Sequence, residues 1–345
     1  MKIIMDAMGG DNAPAEFLKG AFQAANEFGV EMILVGRGEE LLRIMKQLGY
    51  DTLPQGVQIA NADEVVDMHD DPATVLHTRK NSSMVLGLKM LADGMGDAFI
   101  SAGNTGALLS AATLLVRRVK GIRRAAFGPI TPTKSGSAVI IDAGANAECS
   151  PEFLLQFGCM GSYYAKKALN LEQPRVALLN NGTEDSKGTD LQKQAYGLLR
   201  QAGDKGVIRF VGNVEAREFM LGGADVLVCD GFSGNVLLKS IEGTAMYMSS
   251  LLKGIFTKNL ATKLAAAICS SGIKELKELM DYRRVGGTML IGISKPVIKA
   301  HGSSDALAVK NAVQQAIGVV NSGICDDIRD NVDKMILPRE TQANA

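Results

Sequence analysis

Several common signatures are missing from this 345-residue chain, and each absence removes a class of function. Positive charge is not in excess: Lys+Arg and Asp+Glu both total 37, so the net charge is zero. A generic nucleic-acid binder carries a basic surplus, so no nucleic-acid partner is expected. Cysteine is sparse and scattered over Cys149, Cys159, Cys229, Cys269 and Cys325, with no CxxC pair. That spacing suggests neither a zinc site nor a disulfide framework, and points to reduced thiols in a cytoplasmic protein. Histidine is scarcer still, at His69, His77 and His301, with no regular ligand spacing, so no metal is expected. No apolar run approaches the ~20 residues that span a bilayer. The first residues, MKIIMDAMGGD, run straight into a strand and a charged turn, a pattern unlike a signal peptide. The nucleotide motifs GxxxxGK[ST] and GxGxxG and the nucleophile elbow GxSxG are all absent. This speaks against P-loop ATPases, ordinary NAD enzymes and serine hydrolases, and no cofactor is expected.

What the chain does have is a repeated strand-to-turn pattern. Five apolar runs end in glycine-rich polar turns: 3–11, 98–106, 139–146, 176–188 and 226–235. Buried parallel strands read as such runs, and glycine allows tight turns and close approach to a ligand. In an open α/β sheet these turns gather at the carboxyl edge, where helix N-termini attract anions. Strand patterns at 3–5, 32–35, 98–101, 139–141, 176–179, 208–211, 226–228 and 286–292 alternate with helical patterns. Helices are expected at 15–28, 39–48, 81–92, 106–116, 153–169, 191–201, 235–248 and 305–322. The expected fold is therefore α/β, three-layer α/β/α with a mostly parallel sheet. Residues 1–338 are expected to form a single catalytic domain, with 339–345 a flexible tail.

From Thr244 to Met280 the pattern is helical throughout, with breaks expected at Gly254 and around Ser270–Gly272. Met246, Leu251, Leu252, Ile255, Phe256, Leu260, Leu264 and Ile268 supply apolar side chains, and Lys253, Lys258 and Lys263 supply charge. A hairpin packed on the body or across a dimer interface fits this pattern, and so does an amphipathic arm that meets a partner or an anionic bilayer. Both readings stay open.

The turns supply the candidate chemistry. The first carries Asp6, Gly9, Gly10 and Asp11. Ser101, Gly103, Asn104, Thr105 and Gly106 combine donors with close backbone approach, and Lys80 and Ser82 precede them at a helix start. Asn146 closes the third turn. Asn180, Gly182 and Lys187 form a polar loop before a helix, where free amides and a full charge favour an anion. Asp230, Ser233, Gly234 and Asn235 place a carboxylate at a strand end, and His301 lies in a loop before the closing helix.

In order and spacing these segments resemble the bacterial phosphate acyltransferase (PlsX) family of phospholipid synthesis. The matching motifs are DAMGGD (6–11), KNSSM (80–84), SAGNTGA (101–107), DAGAN (142–146), NNGTEDSKG (180–188), DGFSGNV (230–236) and HGSSDA (301–306). The resemblance spans about residues 1–335. It implies transfer of a long-chain fatty acyl group from acyl carrier protein to inorganic phosphate, giving acyl phosphate that feeds a membrane glycerol-phosphate acyltransferase. It also implies a fold like phosphate acetyltransferase and isocitrate dehydrogenase, a homodimer, and peripheral membrane association, which favours 244–280 as the contacting arm. On this reading Lys187 and the 101–106 turn hold phosphate with help from Lys80. Asp230 orients the phosphate or carries a proton near the leaving thiol. Asn104, Asn146 and Asn235 donate to carbonyl or phosphate, with His301 in the same shell. Alternatives are a short-chain phosphate acetyltransferase using acyl-CoA and a non-catalytic membrane-surface scaffold. A metal- and NAD-dependent decarboxylating dehydrogenase shares the expected fold but needs an acidic metal cluster that no motif supplies.

Overall fold

The computed structural model describes residues 1–279, 283 and 286–336. The chain starts with β1 (Lys2–Asp6), α1 (Ala15–Phe28), β2 (Glu31–Gly36), α2 (Gly38–Gln47) and β3 (Val57–Asn61). A helical turn α3 (Val75–Thr78), then α4 (Ser83–Ala92), β4 (Ala98–Ser101), α5 (Thr105–Ala111) and β5 (Ala126–Gly128) follow. Next come β6 (Ile130–Thr133), β7 (Gly136–Ile141), α6 (Pro151–Ala168), β8 (Arg175–Leu179) and α7 (Asp190–Asp204). Then β9 (Arg209–Val214), α8 (Ala216–Met220) and β10 (Val226–Val228) lead into the helices α9 (Gly231–Thr257), α10 (Leu260–Ile268) and α11 (Ser270–Leu279). The chain returns through β11 (Gly287–Ile291), β12 (Val297–Ala300), α12 (Ala306–Ser322) and α13 (Ile324–Asp330).

The strands form two mostly parallel sheets flanked by helices, so the expected α/β class holds. A seven-stranded sheet has the order β3-β2-β1-β4-β12-β11-β5, and a five-stranded sheet the order β6-β7-β10-β8-β9. In the first, β3 through β12 run parallel, β11 runs antiparallel between β12 and β5, and β5 resumes the common direction. Ile3, Ile4 and Met5 are fully buried in succession, as expected for a strand covered on both faces. Helix α1 buries Phe17, Leu18, Ala21, Phe22 and Ala25, the helical spacing of one apolar face. Gly20 lets α12 pack close: a Cβ there would lie 2.6 Å from the Val309 Cβ. A single buried cluster joins Ile3 and Met5 of one sheet to Val139, Val176 and Val226 of the other.

The sheets are also stitched by hydrogen bonds between β5 and the turn after β7. Phe127 N donates to Asp142 Oδ1 (3.0 Å), and Ala143 N donates to the Phe127 carbonyl (3.0 Å).

The helical stretch departs from expectation at its breaks. Helix α9 runs unbroken through Gly254 for 27 residues, about 40 Å at ~1.5 Å per residue. One glycine costs an exposed helix only ~1 kcal/mol, so Gly254 does not end it. The break falls instead at Lys258–Asn259, where Asn259 Oδ1 accepts from Thr262 N (2.9 Å) and caps α10. The second break falls at Cys269, one residue earlier than expected. No residue of α10 is buried, and Leu260, Leu264 and Ile268 stand 75%, 60% and 83% exposed. Met280 and the expected tail at 339–345 lie outside the described residues.

Candidate active-site cleft

Strands β1 and β4 are parallel neighbours, with Met5 opposite Ile100, so the turns that follow them meet. The Asp6 carboxylate is buried beneath both, accepting from Ser101 Oγ (2.7 Å), Met8 N (3.1 Å) and Gly9 N (3.1 Å). Burial raises its pKa, opposed by hydrogen bonds from Ser83, Ser101, Met8 and Gly9. Glycine is required at position 9, because a Cβ there would sit 2.8 Å from Gly103 N. Gly10 has φ +119°, a conformation that suits glycine. Asn104 caps α5, its Oδ1 accepting from Ala107 N (3.0 Å), while its Nδ2 donates to the Met68 carbonyl (3.0 Å). Gly106 packs on Pro72, and Thr105 is exposed.

Strand β12, on the other side of β4, delivers the His301 loop. Asp11 N donates to the Gly302 carbonyl (2.8 Å), and Asn12 Nδ2 to the Ser303 carbonyl (3.1 Å), so this loop is fastened to the first turn. His301 Nδ1 lies 2.8 Å from Ser303 Oγ. Burial, and then the Lys239 ammonium, push the His301 pKa down.

The second sheet adds three turns at its own carboxyl edge, after β7, β10 and β8. Asp142 organises the first of them. Its Oδ2 accepts from Asn146 N (2.7 Å) and Asn146 Nδ2 (2.9 Å), and Ala145 N reaches both oxygens (3.1 Å each). Asn146 also donates to the Ala125 carbonyl (2.8 Å) and accepts from Gly231 N at its own carbonyl (2.7 Å). Asp230 is buried and caps α9, accepting from Ser233 N (2.8 Å) and Ser233 Oγ (2.9 Å). Gly234 lies against the Asp142 carbonyl, leaving no room for a Cβ. Lys187 follows β8 in a loop closed on itself. Asn180 Nδ2 donates to the Lys187 carbonyl (3.2 Å), a Cβ on Gly182 would lie 2.9 Å from Lys187 Cγ, and the Lys187 ammonium stands 3.9 Å from Glu184.

Between the two edges lies a cavity of about 910 Å3. Asp11, Thr105 and His301 line it from the first sheet and Asn235 from the second. Its charged lining also includes Lys134, Lys239, Glu242 and Lys299, and Phe127, Ile130, Met220, Leu238, Ile241 and Met248 supply apolar lining. The other sequence-chosen residues do not line it. Asp6, Gly9, Ser101, Gly103 and Asn104 brace its floor from behind, and Asn146, Asp230, Ser233 and Gly234 brace the opposite edge. Ser82 is buried as the cap of α4 (Val85 N, 3.4 Å), Lys80 is exposed, and Lys187 with Asn180 and Gly182 lies in the neighbouring loop.

Lys299 was missed by sequence reasoning. Its ammonium donates to the Ala102 (3.2 Å) and Ala300 (2.6 Å) carbonyls. Burial, outweighing the attraction of Asp6 and Asp11, lowers its pKa to about 8. The available signal was a lone lysine in the buried run VIKA immediately before HGSSDA. Among the described residues no group of His, Cys, Asp and Glu is arranged to hold a metal. No helix among them is long and apolar enough to cross a membrane. The cleft therefore combines lysine ammonium groups and polar turns with a mainly apolar lining, the complement of a small oxyanion beside an alkyl chain.

Comparison with known proteins places this geometry in a family. A family model described as "Fatty acid synthesis protein" matches residues 1–327. The chain is 45% identical to a phosphate acyltransferase of Alkaliphilus oremlandii over 335 residues, covering 97% of this chain and 98% of that protein. It is 43% identical to a phosphate acyltransferase of Thermoanaerobacterium thermosaccharolyticum over 333 residues, covering 96% and 97%. A phosphotransacetylase structure from Streptococcus pyogenes superposes with a TM-score of 0.62 at 17% identity, covering 94% of each chain, and so shares the fold. The protein is thus an acyltransferase enzyme of fatty acid and phospholipid synthesis. It belongs to the phosphate acyltransferase (PlsX) family, whose reaction takes phosphate and an acyl donor as substrates.

Proposed function

We propose that this enzyme moves a long-chain fatty acyl group from acyl carrier protein to inorganic phosphate, releasing acyl phosphate for phospholipid synthesis. The observation that carries this reading is the cavity of about 910 Å3, lined by lysines and polar turns together with an apolar surface. Such a chamber is large for an acetyl group and suited to an alkyl chain. The reaction needs no covalent enzyme intermediate. Phosphate is largely dianionic near neutral pH (second pKa ~6) and attacks the thioester carbonyl. The C–S bond breaks, and the thiol of the carrier leaves. Donors aimed at the developing oxyanion contribute on the order of 3 kcal/mol each, and alignment of the two reactants a further ~7–11 kcal/mol. Asn235 supplies a donor, while Asn104 on the first edge and Asn146 on the second position the turns around it. Asp230 sets the start of α9, which carries Asn235, and Lys187, in the neighbouring loop outside the cavity lining, adds positive charge toward phosphate at longer range.

The protein works in this reading as a single catalytic unit in a homodimer, in the cytoplasm and at the membrane surface. The exposed apolar residues of α9 and α10 support a bilayer or dimer contact, since large apolar surface left in water marks an interaction site. Product analysis with labelled inorganic phosphate tests the whole reading, comparing palmitoyl-carrier thioester with acetyl-CoA. Labelled palmitoyl phosphate is the expected product. Acetyl phosphate alone would favour the short-chain reading, and no acyl phosphate from either donor would favour a scaffold.

A further inference from the structure

Lys299 occupies a position that the acyl-transfer reading leaves without a task. It lies at the end of β12, between the 101–106 turn and the His301 loop, and its side chain lines the cavity. Two carbonyl acceptors, Ala102 and Ala300, fix the ammonium. An ammonium carries three donors, so one N–H beyond those two remains for an occupant of the cleft. The lysines chosen from sequence sit elsewhere: Lys187 in the loop after β8, Lys80 exposed before α4. Two other lysines line the cavity: Lys239 is already paired at 2.7 Å with Glu242, and Lys134 is exposed to solvent rather than recessed.

We propose that Lys299 is the cation that receives inorganic phosphate in this cleft, its ammonium donating to a phosphate oxygen between the 101–106 turn and the His301 loop. This rests on the acyl-transfer reading for the identity of the anion, and names the residue that holds it. The chemistry is apt. A recessed ammonium gives a charge-assisted contact stronger than one made at an open surface. A dianion arriving beside Lys299 also offsets the burial that now disfavours its charge, so phosphate and proton bind Lys299 cooperatively. The groups around the ammonium are Asp6, Asp11, Lys239 and His301. Asp6 is engaged by Ser101 and by two backbone amides, leaving Asp11 as the carboxylate that competes with phosphate.

The test uses the full-length protein, first with inorganic phosphate alone. An amine-acylating reagent modifies Lys299 near its pKa of about 8, and peptide mass spectrometry reads how far phosphate slows that modification. Several-fold protection of Lys299 is expected. Labelling indifferent to phosphate overturns the assignment. In turnover with a fatty acyl carrier thioester, Lys299→Met raises the phosphate KM about 10–100-fold, the loss of one charged hydrogen bond. The thioester KM stays within about two-fold, and Lys299→Arg recovers part of the phosphate affinity. An unchanged phosphate KM in Lys299→Met refutes the proposal. If that variant does not fold, protection in the wild type decides alone. Protection is read without thioester, so failure of the lysine assignment and failure of acyl transfer give different results.

Discussion

Asp142 is the joint on which the second half of the cleft turns, and its replacement has a calculable cost. Phe127 N, Ala145 N and Asn146 N all donate to this one carboxylate, as does Asn146 Nδ2. In Asp142→Asn one oxygen becomes an amide nitrogen. Placed toward Asn146, it faces the Asn146 N–H and leaves that donor unpaired; placed toward Phe127, it leaves the Phe127 N–H unpaired. Either way one backbone N–H loses its partner and the remaining bonds lose their charge assistance, a cost of about 2–4 kcal/mol. Asp142→Ala strands three backbone donors and costs about 3–6 kcal/mol. Equilibrium urea unfolding of the three proteins, followed by circular dichroism, measures both values. Turnover falls in the same order, because the 142–146 turn holds Gly231 N and so the start of α9. A loss below about 1 kcal/mol in Asp142→Ala, with turnover unchanged, would refute this account.

Gly9→Ala forces its Cβ to within 2.8 Å of Gly103 N and separates the first two turns. The expected cost is about 1–3 kcal/mol of stability with a fall in turnover; an active, equally stable variant counts against the packing. The Lys299 pKa is lowered on folding, from 10.5 to about 8, so the unfolded chain binds the extra proton between those values and wild-type stability rises with pH across that window. Unfolding curves taken across the window should show this rise, and Lys299→Met should lack it. The phosphate KM should climb above pH about 8 as the ammonium is lost. Burial pushes the Cys149, Cys159 and Cys325 thiols up to about 12 and Cys229 upward as well, whereas Cys269 is exposed between α10 and α11. Iodoacetamide at neutral pH therefore modifies Cys269 first, as peptide mapping will show. A polarity-sensitive dye at Cys269 should shift its emission with anionic vesicles, and Leu260→Glu with Leu264→Glu should abolish the shift.

The sequence made the architecture readable wherever an apolar run was long and its turn rich in glycine. Strands β1, β2, β4, β7, β8 and β10 lie within a residue or a few of expectation for that reason. Strands β3, β5, β6 and β12 were unread. Each has five residues or fewer, β3 is half-exposed at a sheet edge, and VIKA interrupts its apolar run with a lysine. Short strands take their identity from partners, which a local pattern does not contain. The division of the strands between two sheets was equally hidden, since it is decided by pairing. The candidate site was readable as turns but not as individual roles. Asn104 attracted notice as a donor in a glycine turn, Asp230 as a carboxylate at a strand end and Ser82 at a helix start, and the geometry uses all three side chains as helix caps. Lys299 was passed over because its one local signal, a lysine in the short apolar run VIKA, does not by itself mark a site.

Helix α9 has its foot in the cleft and its head among exposed leucines. A straight helix resists bending, so it acts as a lever: whatever grips the head restrains the foot. Asn235, Leu238, Lys239 and Met248 ride on that lever and line the cavity. On the proposed bilayer or dimer contact, access to the chamber would be tied to a region that shares no wall with it. A tethered molecule and a free one would then differ in how widely the entrance can swing, though every group at the entrance is the same.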